Sequence, residues 1–572
     1  MKKTIVERKR PEDIPVLSDH PVLDRIYATR GIRTINELEH DLNALLPYTL
    51  LKSIDVAINR LSQALMQQER ILIVGDYDTD GATSTAVVIR ALKAFGAQHV
   101  DYLVPNRFEY GYGLSAKIVE LAIPMKPNLI ITVDNGIVSF EGVDRANEAG
   151  IDVVITDHHL AEETLPNAVG VINPNQLGDE FPSKNLAGCG VAFYLMLALR
   201  GALRDLTWFQ SQAIPEPNMA QFLDLVALGT VADVVPLDKN NRILVQQGIK
   251  RMRAGKVIPG IAALLKIGKR NVRDLVSSDL GFVVAPRLNA AGRLDDMSMG
   301  IECLLADDPQ VAQQLAQRLD TLNIERRQIE NEMKSQAFAI LEKLQLNTKP
   351  LPLGLCLYQH DWHQGVTGIV ASRVKDKWQR PVVVFAKDDQ GQLKGSARSI
   401  PGFHIRDAFE AIAKKYPGLI LKYGGHAMAA GLTLKPEGFA EFEKAFAAYI
   451  CSQLTEDDLA DKYYTDGQLD IEHMNMKLAQ LIRESGPWGQ HFPEPLFHGE
   501  FDLLEQRIVG DNHLKLTLSQ SNKPVDAIAF NIDTNAWPNH RCRKVKVVYR
   551  LDVNKFRMQH NLQLLIEYIE AV

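Results

Sequence analysis

Three apolar runs of this chain each end in acid. Residues 71–74 (I-L-I-V) lead into Gly75, Asp76, Tyr77, Asp78, Thr79, Asp80 and Gly81; residues 129–133 lead into Asp134, Asn135 and Gly136; residues 153–156 lead into Asp157, His158 and His159. Short unbroken runs of branched apolar residues read as strands buried on both faces. A helical pattern over 82–95 and further runs at 100–104 and 169–172 continue the series. Strands alternating with helices predict βαβ units and a mostly parallel, doubly wound sheet. In such sheets ligands bind beyond the carboxyl ends of the strands, which is where these acids fall.

The rest of the chain divides by the same reading. Apolar residues recur at helical spacing from Val311 to Leu344 without an internal Gly or Pro, so 307–347 is expected to form one long helix joining two lobes. A second α/β unit follows, with strands at 353–358 and 382–385, and then short alternating runs at 514–518, 525–530, 545–551 and 562–569 suggest a small β-barrel or sandwich. The expected organisation is an N-terminal extension (1–48), a first α/β domain (49–306), the helix (307–347), a smaller α/β domain (348–450) and an OB-like barrel (451–572).

Composition narrows the setting more than the function. A chain of 572 residues with 64 Lys+Arg against 70 Asp+Glu is not a polycation, and its net charge of −6 neither requires nor excludes nucleic acid. Five cysteines lie far apart with no C-x-x-C pair, which argues against a disulfide framework or a thiolate zinc site. Residues 1–13 lack the apolar core of a signal peptide, and the longest nearly apolar run, 186–199, is too short for a membrane span. A cytoplasmic protein with no membrane partner is expected.

Aspartates at 76, 78 and 80 repel one another in a cleft unless something neutralises them. Hard divalent cations do so with oxygen ligands; an EF-hand is excluded because no Glu closes the loop, and a helix N-cap cluster is the alternative. Asp134, Asp157, His158 and, after the apolar run 222–231, Asp233 repeat the chemistry and should converge with the first cluster. Mixed carboxylate and imidazole ligands suit Mn²⁺ or Mg²⁺, histidine favouring Mn²⁺. Two such ions about 4 Å apart form a standard device for phosphate-ester hydrolysis, with Asp134 as the candidate bridge.

The ordered motifs D-Y-D-T-D-G, V-D-N-G, D-H-H and A-D-V-V-P-L resemble those of the DHH phosphoesterase superfamily. A-G-C-G-V-A-F at 187–193 and A-P-R-L-N-A-A-G-R at 285–293 are similar to its RecJ branch. W-H-Q-G-V-T-G-I-V-A-S-R at 362–373, G-S-A-R-S at 395–399 and G-G-H-A-M-A-A-G at 424–431 resemble its companion DHHA1 domain. The resemblance implies metal ligands at Asp78, Asp80, Asp134, His158 and Asp233. Relatives with a histidine four residues before Asp78 use it as a ligand; Val74 stands there, and Asp76 is the expected substitute. It further implies catalytic roles for Asp134, for His159 facing the scissile phosphate and for Asp157 orienting an imidazole.

Arg287, Asn289 and Arg293 are expected in one short loop that holds phosphate, since arginine forks suit phosphate oxygens. Arg373, Ser396, Arg398 and His426 are similar candidates in the second lobe, where Gly424 and Gly425 would let backbone amides approach. Arg107 is a candidate for a terminal phosphate, and Tyr110 and Tyr112 either stack on bases or serve as packing corners. A basic run from Arg541 to Arg557 is a candidate strand path on the barrel. The resemblance implies a single-stranded-DNA-specific 5′→3′ exonuclease that uses two divalent cations and releases 5′-mononucleotides in recombination and repair. A single-strand-binding protein and a helicase are expected partners. The alternatives are another DHH enzyme acting on short oligonucleotides or cyclic dinucleotides, and a non-catalytic replication scaffold.

Overall fold

The computed structural model describes residues 3–106, 110, 113–347, 351–459, 462–554 and 561–572. Two compact units emerge, one of residues 5–320 with 464–572 and the other of residues 1–4 with 321–463.

The first unit is built on a five-stranded parallel sheet. Its strands are β1 (Ile71–Gly75), β2 (Val100–Leu103), β3 (Leu129–Val133), β4 (Asp152–Thr156) and β5 (Gly170–Ile172), in the order β2-β1-β3-β4-β5. β1 and β3 are buried at every residue. Each fully buried Ile, Leu or Val there stabilises the fold by about 1.5–3 kcal/mol. The order reverses between β1 and β3, and a doubly wound sheet opens its ligand crevice at such a switch point. Helix α1 (Thr79–Ala94) leaves the end of β1. Helices α2 (Gly188–Asp205), α3 (Leu223–Ala232), α4 (Lys239–Arg253), α5 (Pro259–Ile267) and α6 (Ala285–Leu294) follow in the chain.

Helix α7 (Pro309–Asn347) is one continuous segment, and the division between the two units falls within it. The second unit carries a mixed sheet of β6 (Leu355–Tyr358), β7 (Val382–Lys387), β8 (Leu393–Arg398), β9 (Ile420–Gly425) and β10 (Ala429–Leu434), ordered β9-β10-β8-β7-β6. Only β6 and β7 pair in parallel. Helix α8 (Thr367–Trp378) connects β6 to β7, and helix α9 (Phe439–Gln453) runs across position 450, the expected domain boundary.

The C-terminal strands β11 (Phe497–Val509), β12 (His513–Gln520), β13 (Lys523–Ala529), β14 (Lys544–Asn554) and β15 (Asn561–Ala571) close into a barrel, β11-β12-β13-β15-β14. The segment before the barrel, which includes α10 (Met476–Glu484), is keyed to the rest of the first unit. Arg30 pairs with buried Asp466, Ser277 Oγ donates to Trp488 O at 2.7 Å, and the Arg242 guanidinium lies 4.5 Å from the Phe492 ring centroid. No helix among the described residues is long and apolar enough to cross a membrane.

Candidate metal centre

Four chain segments deliver acids to the β1/β3 switch point. Asp78 caps α1, its Oδ1 accepting from Asp80 N at 2.9 Å and Gly81 N at 3.1 Å. Gly81 itself is required, because a Cβ there would lie 2.4 Å from Asp76 O. Asp134 takes a left-handed backbone (φ 61°) at the end of β3, and the Asn135 amide donates to Val74 O at 3.0 Å, lashing the ends of β1 and β3 together. Asp233 stands at the C-terminal cap of α3.

The side chains converge closely. His158 Nε2 lies 3.1 Å from Asp134 Oδ1 and 3.4 Å from Asp233 Oδ2. Three ligand sets each bring their atoms within 4.8 Å of one another: Asp76, Asp78 and Asp134; Asp80, His158 and Asp233; and Asp134, His158 and His159. Asp134 and His158 each belong to two of them, and of the two only the carboxylate has a second oxygen with which to bridge. Val74 is wholly buried in the apolar cluster with Leu72, while Asp76 lies in the acidic group.

The electrostatics of the cluster call for cations. Burial, and then Asp233, push Asp80 up to about 7. Burial, followed by Asp80 and Asp78, raises Asp134 well above the carboxylate range, and burial with Asp78 carries Asp233 to about 8. His158 is held down by burial, hence neutral and able to donate a lone pair, and its buried Nε2 makes no hydrogen bond. Neutral imidazole and crowded carboxylates are a donor set that a divalent ion satisfies. The residues fit the metal.

Asp157 behaves differently. Burial alone would raise it, yet its hydrogen bond to His159 and the charges of both histidines bring it down to about 2. Its Oδ1 lies 2.7 Å from His159 Nδ1, and its Oδ2 accepts from Ile137 N at 2.9 Å. His159 responds in kind: burial pulls it down, but the Asp157 bond and surrounding carboxylates lift it to about 9. With Nδ1 committed to Asp157, chemistry at His159 falls to Nε2.

Several supports had no reading in the sequence. Asp80 accepts the amides of Gly188 (2.6 Å) and Cys189 (3.0 Å) at the start of α2, so A-G-C-G is a helix N-terminus aimed at a carboxylate. A Cβ on Gly188 would lie 2.6 Å from Asp134 Cβ. The Asn173 and Asn175 amides, in N-P-N after β5, clamp the carbonyls of His159 (2.9 Å) and His158 (2.6 Å). An asparagine pair closing a strand was the available signal.

Arg287, Asn289 and Arg293 lie on helix α6, not in a loop. Pro286 sits in its first turn, where the missing N–H costs nothing. Arg287 Nε binds Asp320 at 2.8 Å, and Asn289 Oδ1 accepts from Thr79 N (2.8 Å) and Thr79 Oγ1 (2.9 Å). Asn289 therefore grips the D-Y-D-T-D turn, and Gly292 lets α6 lie against Tyr77 O, which a Cβ would meet at 1.8 Å. In the second unit, Ser396 and Arg398 alternate on β8 beside the start of α8. Ser396 Oγ lies 2.9 Å from Thr367 Oγ1, and the Arg398 guanidinium packs against Gly368. Arg373 Nε binds Glu330 at 2.8 Å, and His426 N donates to Ala429 O at 2.8 Å. Arg107 and Tyr112 lie outside the described residues, as do Lys555 and Arg557. On β14, Arg550 is neutralised by Glu494 (2.9 Å) and Glu567 (3.1 Å), so that strand is less basic than its sequence suggests.

Models of the DHH family N-terminal domain, the DHHA1 domain and the RecJ OB domain match residues 70–230, 352–452 and 465–568. A protein of Dickeya dadantii (strain 3937) named single-stranded-DNA-specific exonuclease RecJ is 52% identical over 99% of this chain and 98% of its own length. The chain belongs to the RecJ family. The fold agrees: the crystal structure of RecJ with Mn²⁺ from Thermus thermophilus aligns at TM-score 0.79 and 31% identity, over 97% of this chain and 77% of that one. RecJ with Mg²⁺ from the same organism aligns at TM-score 0.73 and 29% identity, over 97% and 76%. RecJ relatives are thus described with either ion in place.

Proposed function

We propose that the switch-point cluster holds two divalent cations, Mn²⁺ in preference to Mg²⁺, and cuts single-stranded DNA from its 5′ end into 5′-mononucleotides. The chain is a metal-dependent exonuclease. The observation that carries this reading is the convergence of Asp76, Asp78, Asp80, Asp134, His158 and Asp233 with Asp134 in two ligand sets.

Such cations, when bound, supply Lewis-acid activation of water and neutralise charge at phosphorus and on the leaving oxygen. The chain's own residues do the rest. Asp134 stands between Asp76 and Asp78 on one side and His158 on the other, where it would serve cations on both sides. His158 stays neutral and offers Nε2, while Asp157 keeps His159 protonated, so that His159 Nε2–H can stabilise the phosphate and pass a proton to the leaving group. Arg287, Arg293, Arg373, Ser396, Arg398 and His426 serve phosphate binding, as does Arg107, and Asn289 serves it indirectly through the turn at Thr79. Recombination and repair, a cytoplasmic setting, and a single-strand-binding protein and a helicase as partners complete the proposal.

The experiment uses end-labelled single strands and duplexes with Mn²⁺, Mg²⁺ or EDTA. Release of the 5′ label as mononucleotide from single strands alone is the expected result. Equal digestion of duplex, or activity surviving EDTA, sinks the reading.

A further inference from the structure

Away from the metal centre, residues 250–273 carry eight Lys or Arg and no Asp or Glu, in a chain whose net charge is −6. This stretch spans the last turn of α4, all of α5 and the turn after it. It folds around an open cleft of about 540 Å³ whose cationic walls are Arg253, Lys266, Arg270 and Arg273. Basic residues at helix C-termini are ordinary, because they complement the macrodipole. That accounts for one or two cations per helix, not for a cleft walled by four.

Ion pairs along the stretch are few. Among the described residues only Arg270 of the eight forms an ion pair, with Asp279 at 2.7 Å. The acids facing Arg253 are Asp274, Asp279 and Glu484, yet burial and Arg483, the largest influences on it, both draw its guanidinium below the ordinary value. Arg483 in turn donates to Asp274 O at 2.7 Å. Arg253, which lines the cleft, thus feels the like charge of Arg483, and a polyanion in the cleft relieves that repulsion. Arg550 on the barrel, by contrast, already has two carboxylates.

We propose that this cleft is a second contact for the phosphodiester backbone of single-stranded DNA, taken up by the part of the strand outside the metal centre. The inference rests on single-stranded DNA being the substrate. Helix α4 is 15 residues long, about 22 Å at 1.5 Å per residue, and the cleft lies at its far end from Asp233. A stacked strand covers that distance in roughly six or seven nucleotides. Long strands reach both sites and very short ones do not.

The test measures binding of oligo-dT of about four and about 20 nucleotides to the full chain in EDTA across a salt series. The exposed pair Lys266→Glu with Arg273→Glu is compared with wild type. The long strand should bind about tenfold more weakly at ~0.1 M salt, with the salt slope reduced by about 1.4, two phosphate contacts' worth. The short strand should bind unchanged, and its Mn²⁺-dependent cleavage should also be unchanged. Lys266→Gln with Arg273→Gln should show a smaller shift in the same direction. An unchanged long-strand affinity and slope overturns the proposal, as does equal weakening of both lengths. Binding of polyglutamate that depends on these residues while DNA binding does not assigns the cleft to an acidic protein and also overturns it. Because binding is read in EDTA, a chain that cuts nothing yet shows the salt-slope change refutes the exonuclease reading alone.

Discussion

Asn289 Oδ1 accepts two hydrogen bonds from Thr79, one from its backbone N–H at 2.8 Å and one from its hydroxyl at 2.9 Å. Thr79 sits between Asp78 and Asp80, so a residue 210 positions away fixes the pitch of the metal-binding turn.

Asn289→Ala should raise the Mn²⁺ concentration for half-maximal activity by about 10–100-fold, as removal of supports behind metal ligands does. Asn289→Asp keeps the acceptor and should recover most of the loss. A titration of activity against Mn²⁺, with DNA affinity in EDTA alongside, separates this from a lost phosphate contact. Weakened DNA binding in EDTA with normal Mn²⁺ dependence refutes the positioning role.

Asp134→Ala removes the carboxylate common to two ligand sets. Cleavage should fall by about 10³-fold or more, while affinity for single strands in EDTA stays within a few-fold. Parallel loss of binding shows that metal and strand roles are not separable.

The pH profile should report Asp157. His159, lifted to about 9 by that carboxylate against the pull of burial, remains protonated through neutral pH. Asp157→Asn keeps an oxygen for the Nδ1 bond but removes the charge, so the His159 value falls and the alkaline limb of kcat should move to lower pH. An unmoved alkaline limb means that His159 is not the group that must carry the proton.

Without metal, the crowded acids destabilise the fold. Asp80 and Asp233, raised to about 7 and about 8, bind more protons folded than unfolded between the unfolded value near 4 and those values. Their contribution to stability is therefore largest below the unfolded value and is lost as pH rises through 7 to 8. In EDTA, Asp233→Asn should melt higher than wild type at pH 8 by about 2 °C or more, and the gap should close near pH 4. Adding Mn²⁺ should reverse the order. Calorimetry at the two pH values, with and without metal, decides it.

The sheet and its acids were legible because two periodicities coincide: runs such as 129–133 are short enough and apolar enough to be only strands, and an acid at a strand's carboxyl end is placed by topology. The continuity of α7 was legible from its unbroken helical spacing. Helix α6 was not, because Pro286 and Gly292 punctuate its sequence like a loop. Only the structure shows that Pro286 opens the helix and that Gly292 yields room to Tyr77 O. The partners of Asp80 were hidden for another reason, since they are backbone amides, whose identity no side chain announces. The cationic cleft was masked by the chain's total charge, and Arg550 reads as basic until Glu494 and Glu567 come beside it.

The grip of Asn289 on Thr79 also sets the order in which the site can be completed along the chain. Its acids lie within the first 233 residues, but the turn that carries three of them is secured from α6. A ribosome-bound chain that has not yet released residue 289 holds its ligands without their brace. The metal-binding turn therefore gains its two stabilising hydrogen bonds only once α6 has been made, about halfway along the chain.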